Sequence, residues 1–209
     1  MIDKEKAYRT AFFLNLFTIF YNIAEGILSV YFGIEDETLT LFGFGADSFI
    51  EAISGLGIAH MVIRIRNNPG VKIDNFEKRA LQITGLAFYL LCIGLIAGII
   101  LRLIENKQPE STLAGVIISI ISIAVMWFLM KMKVRIGKSL HSEPILADAS
   151  CTRVCIQMSL VLLGSSLIYE LTKINYIDIL ATIGIIYFSY REGKEAFEKA
   201  KGKHDCHCA

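Results

Sequence analysis

Two short stretches of this chain carry side chains that could hold a cation. In "FGFGADSFIEAISGLG", Asp47 and Glu51 are four positions apart, and in "ILADASCTRVCIQMS" the cysteines Cys151 and Cys155 follow Asp148. On a helix, residues i and i+4 share a face, so each stretch presents a pair of donor groups together. Two carboxylates held close in a low dielectric do not both ionise unless a cation lies between them. Ser54 follows one turn later on the same face. A helix turns about 100° per residue, so Asp148, Cys151 and Cys155 fall within roughly 60° of one another and Arg153 points well away. His141 is two turns earlier and extends that face. The alternative is a protonated, hydrogen-bonded carboxylate pair tying helices together, with the cysteines as small buried apolar residues. Cys92 is read in that second way. A packing contact needs only one polar group, whereas two thiols beside an aspartate suit a ligand set, so Asp47, Glu51, Cys151 and Cys155 are expected to bind metal.

The elements that must position these residues are membrane-spanning helices. The chain of 209 residues is 54% hydrophobic with three prolines, and its mean hydropathy is +0.54. About 20 mostly apolar residues span a bilayer as a helix. Six segments qualify: 10–33, 39–63, 80–104, 112–132, 144–171 and 174–190. The expectation is an all-α membrane protein with one six-helix transmembrane domain, residues 1–190, and a short charged tail, residues 191–209. The first segment is too long and too polar for a cleaved signal peptide, since Asn15, Asn22 and Glu25 interrupt it. Seventeen of the 21 lysines and arginines fall on one side of these segments. They include Lys131, Lys133, Arg135 and Lys138 after the fourth. The positive-inside rule then puts both termini in the cytoplasm. A net charge of +1 points away from nucleic acid, and topology accounts for the basic clusters.

Ionisable groups inside a membrane are costly and mark functional positions. Counted from the cytoplasmic ends, Glu51 and Cys155 lie about 20 and 17 Å deep at 1.5 Å per residue, both near the midplane. Asn15, Thr18, Asn22 and Glu25 form a stripe that fits either a helix seam or a hydrated path. Asp178 is read as an interfacial cap. The glycines at 43, 45, 55 and 57 permit close helix approach. The tail ends in "HDCHCA", and His204, Cys206, His207 and Cys208 are expected to capture metal on the cytoplasmic side, where thiols stay reduced.

The motifs "ADSFIEAISG" and "LADASCTRVC", with the sixth-segment start "IDILATIGIIYFSYREGKEAF", resemble those of the cation diffusion facilitator transporters. That family has six transmembrane helices, cytoplasmic termini and a midplane site for zinc or a similar divalent metal. Its second-helix motif of Asp or His, three residues and Asp maps onto Asp47 and Glu51. Its fifth-helix motif, aligned on Ala147, Asp148, Ala149 and Arg153, puts Cys151 at a His position and Cys155 at an Asp position. Three departures stand out. Glu replaces the second Asp, Cys replaces both fifth-helix ligands, and the regulatory cytoplasmic domain usual after the sixth helix is absent. The thiolates favour softer ions such as Cd²⁺, Hg²⁺ or Cu⁺ while still suiting Zn²⁺. Without the cytoplasmic domain, membrane helices would have to hold any homodimer together.

The functional expectation is efflux of a divalent heavy metal, Zn²⁺ or Cd²⁺, by proton antiport from a bacterial inner (plasma) membrane. The chain would be no enzyme and would need no organic cofactor. Its partners would be the metal, protons as counter-ion and the bilayer. Asp148, His141, Asn22 and Glu25 would be accessory to the metal or the proton path. One alternative is a membrane thiol-disulfide oxidoreductase using Cys151 and Cys155, although helical i, i+4 spacing is wider than a disulfide prefers. Another is a metal sensor subunit that does not transport.

Overall fold

The computed structural model describes residues 4–67, 75–105, 112–174 and 176–201. It is all-helical, with six helices: α1 (Lys4–Glu35), α2 (Leu39–Asn67), α3 (Asn75–Glu105), α4 (Leu113–Leu140), α5 (Glu143–Thr172) and α6 (Tyr176–Ala200). The closest pairings are α1 with α2, α4 with α5 and α3 with α6. Helix α2 also touches α3, α5 and α6, which makes it the central element.

Five of the helices, α1 to α5, are long and apolar enough to cross a membrane. Helix α6 is not among them. Its apolar stretch, residues 179–190, runs only twelve residues between Asp178 and Arg191, about 18 Å at 1.5 Å per residue. The sixth segment expected from sequence is therefore a helix but a weaker candidate span than the others.

The bundle has its apolar side chains outside and many of its polar ones inside. Phe13, Phe17, Phe20, Trp127, Phe128 and Leu171 are exposed, while Asn15, Asn22, Asp47, Ser48, Ser122 and Lys133 are buried. Water would reject that arrangement, and hydrocarbon favours it. Helices α1 and α2 approach closely at Gly45, where an added Cβ would lie 2.7 Å from the Ser29 Cβ and from the Val30 nitrogen. No side chain larger than hydrogen fits there without moving backbone.

At the end where α1 hands over to α2, the bundle is closed. Leu41, Phe44, Leu95, Met158, Leu162 and Ile185 form one buried apolar cluster contributed by α2, α3, α5 and α6. Asp178 caps α2 by accepting from the backbone N–H groups of Leu39 at 3.0 Å and Thr40 at 3.2 Å, donors a helix start leaves without partners. The same carboxylate pairs with Arg102 of α3. Asp178 is thus a cap, as expected, though for a neighbouring helix.

Candidate metal centre

Toward the opposite end lies a cavity of about 60 Å³ lined by all six helices. Its walls come from the middle of α1 and α2, the first halves of α3 and α5 and the second halves of α4 and α6. Glu51 and Cys155 are both on its wall. The Cys155 thiol donates to the Glu51 carboxylate, with Sγ 2.8 Å from Oε1 and 2.9 Å from Oε2. Asn22 Nδ2 donates to Glu51 Oε2 at 3.2 Å, so α1, α2 and α5 meet at one carboxylate.

The other two expected ligands are near but not joined to this pair. Asp47, one turn before Glu51, is buried and its Oδ1 has no hydrogen-bond partner among the described residues. Cys151 lines the cavity, with its Sγ 3.8 Å from Lys199 Nζ of α6. Cys92, Cys151 and Cys155 are free thiols. Among the described residues, no group of three or more His, Cys, Asp and Glu side chains is gathered tightly enough to hold a metal ion. The facing pair is formed, then, but the full set of four is not assembled.

The accessory residues separate clearly. Asn22 touches Glu51, as above. Glu25 accepts from Tyr21 Oη at 2.9 Å and from Ser48 Oγ at 3.0 Å, so this part of the α1 stripe is a hydrogen-bonded seam with α2. Asp148 is held by Lys133, whose Nζ is 3.0 Å from each carboxylate oxygen and 3.1 Å from Thr152 Oγ1. His141 does not continue the α5 face. It ends α4 in the left-handed conformation at φ 48°, its N–H reaching the carbonyls of Gly137 and Lys138. Helix α5 starts two residues later, so the angular count from Asp148 back to His141 has no helix to run along. His141 is exposed and does not line the cavity. Arg153 is exposed, pointing away as expected. The tail residues His204, Cys206, His207 and Cys208 lie outside the described residues.

Sequence reasoning missed two groups. Lys133, assigned to a cytoplasmic cluster by its neighbours Lys131 and Arg135, is 2% exposed and its ammonium is inside the bundle. The charged end of α6, read as an extension into cytoplasm, supplies Glu192, Glu195 and Lys199 to the cavity wall. The signal was present: Glu192, Glu195 and Lys199 are spaced i, i+3, i+7, and Ala196 shares their face. That is one side of a packed helix. This end of α6 lies beyond the expected span. Burial, with Glu195 adjacent, pushes Glu192 up to about 7. Burial alone would lower the Lys199 ammonium, but the acceptors around it, Glu195 at 2.7 Å among them, outweigh it and raise it above its ordinary range.

Four carboxylates line the cavity (Glu51, Asp148, Glu192, Glu195) against two lysines (Lys133, Lys199). Fully ionised, the wall carries a net of two negative charges. A set of thiol and carboxylate donors with that surplus can attract a divalent cation and release protons as it binds. No protein-family model matches the chain, and no curated protein sequence matches it either.

Proposed function

We propose that the protein is a metal-cation transporter of the cation diffusion facilitator kind, exporting a soft divalent metal such as Zn²⁺ or Cd²⁺ in exchange for protons. One observation carries this reading. The Cys155 thiol and the Glu51 carboxylate meet at 2.8 and 2.9 Å on the wall of a polar cavity inside an apolar bundle. The thiol proton lies between two groups that are both metal ligands once it leaves. A cation entering there takes the proton's place, bonding sulfur on one side and carboxylate oxygen on the other. Metal binding and proton release are then one event at one pair of atoms. Asp47 and Cys151, each about a helical turn from a member of the pair, would complete a tetrahedral set on loading.

Four carboxylates against two lysines on the cavity wall, a surplus of two negative charges once all are ionised, support a divalent substrate. The sulfur ligands favour Cd²⁺ or Zn²⁺ over Mn²⁺ or Mg²⁺. In this reading all six helices span the membrane, both termini are cytoplasmic, the cavity faces the cytoplasm, and two copies pair through membrane helices in a bacterial plasma membrane. A thiol-disulfide exchange role is less well supported, because Cys155 is turned to Glu51 and Cys151 to Lys199.

The test is Cd²⁺ and Zn²⁺ flux into inverted vesicles with and without a pH gradient. Glu51→Gln and Cys155→Ser should each reduce flux to the level of vesicles lacking the protein. Wild-type flux in both variants would remove the pair from the mechanism.

A further inference from the structure

The end of the cavity away from Glu51 and Cys155 adds Glu192, Glu195 and Lys199, which the proposed site does not use, beside Cys151, which it shares. Lys199 Nζ sits 2.7 Å from Glu195 Oε1 and 3.8 Å from Cys151 Sγ. Glu192 lines the same space from one turn back on α6. A positive charge thus already stands among a thiol and two carboxylates. Independently, the cavity wall holds buried polar atoms that no described residue satisfies. Asn15 is 1% exposed and Thr84 is 2% exposed, and both line this cavity. Asn15 Nδ2 and Oδ1 and Thr84 Oγ1 have no hydrogen-bond partner among the described residues. Leaving such groups bare is costly, because they forgo the hydrogen bonds they make with water in the unfolded chain. A cavity of about 60 Å³ has room for a few water molecules, so these atoms are placed to hold a hydrated guest.

We infer that Cys151, Glu192 and Glu195 form a second cation-binding station at the cavity mouth, occupied at rest by the Lys199 ammonium, which an incoming metal ion must displace. The inference takes only the class of cation from the transporter reading. The Lys199 side chain accounts for the lack of a ready metal-binding trio, since the acceptors are arranged around an ammonium group. On loading, Cys151 gives its thiol proton to solvent as sulfur bonds the metal, and Lys199 moves aside still protonated. Asn15 and Thr84 offer hydrogen-bonding groups to water that stays on the ion. Lys199 opposes this step. Exchanging one thiol proton for a divalent ion adds a positive charge to the station, and a nearby ammonium resists that gain. Lys199 therefore sets the affinity of the mouth and keeps it weak enough for the ion to move on.

The station can be tested apart from the Glu51–Cys155 pair. In the purified full-length chain carrying Cys155→Ser, Cys206→Ser and Cys208→Ser, Cd²⁺ is titrated and thiolate-to-Cd²⁺ absorbance is followed. Lys199→Gln in that background should tighten the Cys151-dependent signal about tenfold or more, and Lys199→Arg should leave it weak. Adding Cys151→Ser should abolish it. Lys199→Met, which suits an apolar wall, should give the same gain if the Gln variant fails to fold. Equal affinity with Lys, Gln and Met at 199, no Cys151-dependent signal in any of them, or a signal that survives Cys151→Ser would overturn the inference. Cys155 is absent throughout, so this result is independent of the vesicle experiment, which tests the other pair.

Discussion

At one end of the bundle, Asp178 reaches three partners: the backbone starts of α2 at Leu39 and Thr40, and the guanidinium of Arg102. Its own carbonyl accepts from Thr40 Oγ1 at 2.8 Å and from Thr182 Oγ1 at 2.7 Å, and the Leu41–Phe44–Leu95 cluster closes the space beside it. At the other end, Asp148 also has a buried cationic partner, Lys133, yet it faces a cavity whose wall includes unsatisfied amide and hydroxyl groups. Both ends use a buried acid–base pair across helices. One is sealed in by packing and capping, and the other borders a space that water or an ion can enter. What the pair does depends on that surrounding: the first clamps helix ends, and the second lines a cavity.

The difference can be broken most sharply at the sealed end. Asp178→Ala leaves Arg102 buried without its partner and uncaps α2, which should cost about 3–5 kcal/mol. Denaturant unfolding of the purified protein would measure it. Arg102→Met with Asp178→Leu should recover part of that loss, because an apolar pair carries no desolvation penalty. The matching change at the open end should be smaller. Lys133→Met leaves the Asp148 carboxylate beside a cavity that water can fill, so the expected cost is about 1–3 kcal/mol. Equal costs at the two ends would mean that the cavity gives Asp148 no relief.

The smallest effect concerns pH and sharpens the picture of the open end. Glu192 is raised from 4.5 to about 7 by burial, so the folded protein holds a proton there that the unfolded chain releases. Its contribution to stability is full below pH 4.5 and is lost as pH rises through about 7, because the group binds protons better folded than unfolded. Thermal midpoints measured across that window should fall with rising pH on its account. Glu192→Gln should flatten the slope, and an unchanged slope would mean that water already reaches the carboxylate.

Much of this was legible in the chain, for local reasons. The i, i+4 spacing of Asp47 with Glu51 and of Cys151 with Cys155 puts each pair on an inward face, and Arg153 turns outward on the same count. The partner each residue chooses was not legible, because periodicity within one helix says nothing of which neighbour packs against it. Cys155 meets α2 while Cys151 meets α6. Lys133 looked like one more cytoplasmic lysine until α5 supplied Asp148 and Thr152. His141 was misplaced for a simpler reason, since the count assumed a helix that had not yet begun.

The short apolar stretch of α6 bears on how the protein is made. Twelve residues, 179–190, are too few to enter a bilayer unaided, and the charge that precedes them, Asp178, is neutralised only once Arg102 of α3 is in place. An α6 that crosses the membrane does so as a dependent of helices synthesised before it. Such a helix can settle only when α3, made before it, offers its arginine, and loss of Arg102 would then show first as chains with α6 left outside the bilayer.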